Sequence, residues 1–97
     1  MKVAAYVPDL MDRSRLGGFD VEFVATAADL AGVHADLVVV DLGRPGVLDA
    51  LPHLAGVRTI GFGSHVDRDL LAAARAAGCD EVLPRSEFFR RAGQLLA

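Results

Sequence analysis

The run Leu37-Val38-Val39-Val40-Asp41 constrains the fold more than any other part of the chain. Three consecutive valines fit a surface helix poorly, because β-branching restricts χ1 and the run offers no wet face. It reads as a central parallel strand, buried on both faces. In open α/β sheets the ligand crevice lies outside the carboxyl ends of the strands. Asp41 stands at that end, and the turn Leu42-Gly43-Arg44-Pro45-Gly46 follows it. An acid in this place points to a site without naming its chemistry, and taken alone it serves equally well as the N-cap of the helix that follows.

The rest of the chain alternates short apolar runs with helical segments. Val3 to Val7 reads as a first strand, stopped by Pro8. Asp9 to Leu16 reads as a short helix or turn ended by Gly17-Gly18. Val21 to Ala25 alternates and forms a second strand, nearer an edge. Thr26-Ala27-Ala28-Asp29 has capping-box spacing, which starts a short helix that ends at Gly32. Gly46 to Ala55 is helical, with Pro52 expected to kink or shorten it. Val57 to Phe62 is a fourth strand, and Asp67 to Ala77 is an alanine-rich helix closed by Gly78. Glu81 to Leu83 is a fifth strand, and Ser86 is expected to cap a last helix running to Leu96. Five strands alternating with helices predict one α/β domain over residues 1–97: a three-layer sandwich on a five-stranded parallel sheet of order 2-1-3-4-5, with a shortened first helix.

Composition bounds the function. Ninety-seven residues, 53% hydrophobic and 24% charged, suffice for one core and exclude a disordered tail. A net charge of −3 and a pI of about 5.4 argue against nucleic-acid binding, which needs clustered positive charge. No apolar run approaches the roughly 20 residues of a membrane span, and no signal-peptide pattern opens the chain. A cytoplasmic location without membrane association is therefore expected. Cys79 is the single cysteine, so an intrachain disulfide and a cysteine-based zinc cluster are impossible; it is expected to be buried and inert.

Residues just past each strand gather on one rim. Here they are Asp9, Asp41, Gly63, Ser64, His65 and Arg85, which would share one polar pocket. Val38-Val39-Val40-Asp41-Leu42-Gly43-Arg44-Pro45-Gly46 and Ala76-Ala77-Gly78-Cys79-Asp80-Glu81-Val82-Leu83-Pro84-Arg85 resemble the receiver domains of two-component response regulators. The likeness is good from about Ala35 onward and poor before Asp20. It implies a phosphoacceptor aspartate at Asp41, an acid pair after strand 1 that helps bind Mg²⁺, a Thr or Ser after strand 4 and a Lys after strand 5. The chain departs from that pattern. The acid pair is Pro8-Asp9, the hydroxyl position falls on Gly63 or Ser64, and the lysine position is Arg85, whose planar fork is not equivalent to an ammonium. Asp9 and Asp41 make at most a weak Mg²⁺ site, which Asp12 assists only if the first helix turns it inward; no other cofactor is expected. The resemblance therefore implies an atypical, pseudo-receiver-like module for signalling or protein interaction, with Arg85 expected to pair with Asp41 in place of metal and phosphate.

Asp12-Arg13-Ser14-Arg15 could hold an anion through Arg13 and Arg15, as could Arg44, but such clusters are more often solvated. Together with the rim they define the rival reading: a small enzyme or binding domain for a phosphate-bearing ligand. Against an enzyme, there is no GxGxxG, GxxxxGK[ST] or GxSxG motif, and adjacent Ser64 and His65 rarely serve a triad. Ser64 or Asp67 capping the alanine-rich helix explains them better. His34, His53 and His65 make no metal-ligand spacing. Of adjacent Phe88 and Phe89, at most one can point fully inward. In receivers the face of the penultimate helix, strand 5 and last helix often mediates dimers, so the resemblance makes Leu70, Leu71, Arg75, Phe89 and Arg90 interface candidates, with simple core packing as the rival reading, and a protein partner or homodimer is expected. With Ala97 directly after the last helix, a signal is expected to leave through such a contact.

Overall fold

The structure, a computed structural model, describes residues 1–54 and 56–97. Its strands are β1 (Val3–Tyr6), β2 (Val21–Phe23), β3 (Leu37–Asp41), β4 (Arg58–Gly63) and β5 (Glu81–Pro84). They form one parallel sheet of order β2-β1-β3-β4-β5, the expected solution. The α-helices are α1 (Leu10–Arg15), α2 (Val47–Ala50), α3 (Arg68–Ala76) and α4 (Arg85–Leu95), with 3-10 helices at Ala27–Gly32 and Leu51–Leu54.

β3 is buried along its whole length, and its alternation divides the interior in two. Leu37 and Val39 face Leu16, Phe62, Phe88 and Leu95 under α1 and α4. Val38 and Val40 face Leu30, Val47, Leu51 and Leu71 on the other side. β1 and β4 flank β3, with Ala5 and Ile60 aligned to Val39. β2 pairs only with β1, over three residues, and ends at Phe23 rather than Ala25.

Local chemistry accounts for the helices. The Thr26–Asp29 capping box is complete, but the six-residue segment behind it is a 3-10 helix ended at Gly32. Pro52 acts as expected: regular helix stops at Ala50, and a 3-10 turn carries the chain to Leu54 because proline has no N–H to continue the ladder. The expected end of that helix, Ala55, lies outside the described residues. Asp67 caps α3, its Oδ1 accepting from Leu70 N at 3.2 Å. Gly78, at φ 103°, closes α3 in a Schellman motif: Gly78 N donates to Arg75 O and Cys79 N to Ala74 O, both at 3.1 Å. Ser86 does not cap α4. The extended backbone of Pro84 (φ −56°, ψ 143°) already leads into the helix, so Arg85 is its first residue.

Candidate acidic rim with internal arginines

The rim begins with Asp9. Its Oδ1 accepts from Met11 N at 2.9 Å and Asp12 N at 3.0 Å, so this carboxylate caps α1. A helix started at Asp9 brings Asp12 and Leu16 to the inward face, three and then four residues on. Leu16 is fully buried, and Asp12 is only 2% exposed. Asp41 follows β3 at 9% exposure. Its Oδ1 accepts from Gly43 N at 3.0 Å, and its Oδ2 lies 3.3 Å from Arg44 Nε.

Arg85 does not pair with Asp41. Its Nη2 donates to Asp12 Oδ1, linking the first turn of α4 to the buried side of α1. The guanidinium also lies over Phe62 and Phe89, with Cζ 5.7 and 5.3 Å from the ring centroids. The pairing expectation failed because α4 begins at Arg85 itself, which aims the side chain towards α1, while Arg44 reaches Asp41 from the adjoining turn. The Arg85 pKa is raised, first by the hydrogen bond to Asp12 and further by the charges of Asp12, Asp41 and Asp9. The three acids and Arg85 thus form one electrostatic group, and among the described residues no buried side-chain N or O atom lacks a partner.

The remaining sequence candidates fall elsewhere. Gly63 is the last residue of β4, pairs with Pro84 and is buried; a Cβ there would stand 3.3 Å from Leu71 Cδ2. It offers no side chain to a ligand. Ser64 and His65 are exposed, and Ser64 Oγ accepts from Val66 N at 3.4 Å. Arg13 donates Nε to Val7 O at 2.7 Å and lies over Phe23, while Arg15 Cζ sits 4.1 Å from the Phe89 centroid. These two arginines cover aromatic rings and do not converge on Asp41. Of the interface candidates, Leu71 is buried in the core and unavailable, Leu70 and Phe89 are half-buried, and Arg75 and Arg90 are exposed. Phe88 takes the fully inward position and stacks on Phe62 at 4.8 Å.

A divalent cation fits this donor set poorly. Mg²⁺ demands near-octahedral oxygen coordination. Here Asp9 caps a helix, Asp12 is taken by Arg85, and Asp41 is shared by a backbone N–H and Arg44. Among the described residues no three His, Cys, Asp or Glu side chains cluster as a metal site. Asp12 is the residue sequence reading undervalued, although its spacing from Asp9 and Leu16 carried the signal.

No family model and no curated protein matches the chain. Solved structures do. The chain is similar to the receiver domain of the TMAO respiratory system response regulator TorR, with a TM-score of 0.77 at 20% identity over 98% of this chain and 95% of that one. A response regulator from Hahella chejuensis gives 0.74 at 19% identity over 99% and 92%. A putative CpaE2 pilus assembly protein from Sinorhizobium meliloti 1021 gives 0.65 at 21% identity over 97% and 98%. The chain has the flavodoxin-like fold of receiver domains across almost its whole length.

Proposed function

We propose that this chain is a receiver-like signalling or protein-interaction module whose phosphoacceptor-type rim is closed by its own arginines. The observation that carries this reading is the pairing of buried Asp12 with Arg85. A phosphorylation site needs a free carboxylate, a divalent cation and a mobile cation to meet the phosphoryl oxygens. Here Arg85 holds an acid of the site, and Arg44 lies on Asp41. Two of the three rim acids are thus met by arginines of the same chain, which supplies counter-charge there without metal or phosphate. Such a domain acts through the surface it presents, by binding protein, and turns over no substrate.

Amide NMR tests this. Adding Mg²⁺ and then beryllofluoride, a phosphoryl mimic, is expected to leave the amides of Asp9, Asp41, Gly63 and Arg85 in place. Shifts at those amides that require both additions would show that the phosphorylation chemistry survives, and the reading would be wrong.

A further inference from the structure

Two unpartnered surfaces lie on opposite sides of the sheet. The first is on α1. Leu10 and Met11 are 78% and 79% exposed, although most other large apolar side chains are covered. Arg15 lies one turn beyond Met11 on the same helix face. Among the described residues it makes no ion pair, and its guanidinium rests on Phe89. This surface is an apolar pair beside an uncompensated positive charge.

The second is a groove of about 400 Å³ between the first 3-10 helix and α2. Ala27, Ala28, Ala31 and Ala50 make its walls, and Asp49 and His53 stand at its polar side. It exists because both bordering helices are short. The first is a six-residue 3-10 helix, and α2 has four residues before Pro52 forces the change of helix type. Alanines on such short elements cannot fill the space between them. Among the described residues Asp49 is in no ion pair.

We propose that these surfaces meet between copies of this chain: Leu10 and Met11 of one molecule seat in the alanine-lined groove of the next, and Arg15 faces Asp49. The occupant is identified by complementarity. The groove is apolar with one carboxylate, and the protrusion is apolar with one guanidinium stacked on Phe89, neither of them in an ion pair among the described residues. Because α1 and the groove flank opposite faces of the sheet, the contact is head-to-tail and extends beyond a pair unless its rotation closes a ring. The interface shares α1 with the acidic rim but uses none of the rim side chains Asp9, Asp12, Asp41, Arg44 and Arg85.

The test is sedimentation velocity on the intact chain over a concentration series, at low salt and at about 0.5 M salt, where screening shortens charge interactions to a few ångströms. The average mass is expected to rise above one chain with concentration and to fall towards one chain in high salt. Asp49→Arg and Arg15→Glu should each weaken association at least about fivefold, the factor that one kcal/mol represents. Mixing the two variants should restore it, because each juxtaposition then carries opposite charges. Leu10→Ser with Met11→Ser, both exposed, should abolish it in a chain whose circular dichroism is unchanged. Monomers at every concentration in low salt would overturn the proposal and leave the groove to another protein. Association that survives the Leu10 and Met11 changes, or that mixing fails to restore, would overturn it equally.

Discussion

Replacing Arg85 by Met keeps much of the aliphatic stem and removes the charge. Asp12 is 2% exposed, so its carboxylate would then be buried without a counter-charge. Breaking a fully buried pair by removing one partner costs about 3–5 kcal/mol. The Arg85 side chain is 44% exposed, so water can reach the vacated space and lower that cost to about 2–3 kcal/mol. The lost stacking on Phe62 and Phe89 adds about 0.5–1 kcal/mol. Asp12→Asn is milder: an amide oxygen still accepts from Arg85, and the guanidinium can hydrate, so about 1.5 kcal/mol is expected. Arg85→Met with Asp12→Leu removes both charges and should recover most of the Arg85→Met loss, since a matched apolar pair is often no worse than a buried ion pair.

Urea unfolding followed by circular dichroism measures all four chains, with the slope checked for constancy. Asp12→Leu alone, measured beside them, closes the double-mutant cycle, and a coupling of about 3 kcal/mol between the two positions is expected. The raised pKa of Arg85 fixes the pH behaviour on its side. A cationic group whose folded pKa is raised contributes fully below its unfolded value, so the contribution persists at every pH below the ordinary arginine range and is lost only above it. Arg85→Met within 0.5 kcal/mol of the parent, a threshold of about the size of a neutral surface change, would refute the argument. Additive single changes would refute it too.

Two further outcomes follow from packing. Gly61→Ala would place a Cβ 2.6, 2.8 and 3.0 Å from three side-chain atoms of buried Leu42, which must move; a loss of about 1–3 kcal/mol in urea unfolding is expected, and it should be smaller when measured in a Leu42→Ala background, whereas no loss would mean that the Leu42 side chain has room to turn aside. Burial pushes the Cys79 thiol up, against the lowering effect of its hydrogen bond with Thr59. The unfolded thiol therefore ionises first, and stability should hold below its ordinary pKa of about 8.5 and fall as pH rises past it, a slope that Cys79→Ala removes. Ellman's reagent should meanwhile label the folded chain no faster than it opens, and rapid labelling would contradict the burial.

The sheet was legible because its signals are periodic and local. The valine run of β3 can satisfy both of its faces only between two helical layers, and the strand order follows from the parallel connections. Gly78, Pro52 and the Thr26–Asp29 box each do in the structure what their chemistry requires. The ion pairs were less legible because they depend on where a helix starts. Ser86 is a better capping residue than Pro84 by propensity, yet the extended backbone of Pro84 leads directly into α4. Starting the helix at Arg85 aims its guanidinium at Asp12, and residues 73 apart in sequence leave no periodic trace of meeting. For Leu71 core packing, the rival of the interface reading, is what the structure shows: Leu71 and Ala74 are the buried residues of α3.

The short first helix and the Asp12–Arg85 pair are physically linked. A six-residue helix rises about 9 Å and presents one inward stripe. On α1 that stripe is Asp12 followed by Leu16 at the cap, and Leu10 and Met11 point away from the core. One leucine is a thin apolar anchor for a helix that must stay on the sheet. The Asp12–Arg85 pair supplies a second anchor, tying α1 to the beginning of α4, while Arg15 on Phe89 adds a third along the same seam. The interactions that keep so short a helix in place are therefore the ones that occupy the rim. Lengthening α1 with a further apolar turn should make the Arg85 pair dispensable for stability before any change at Asp41 matters.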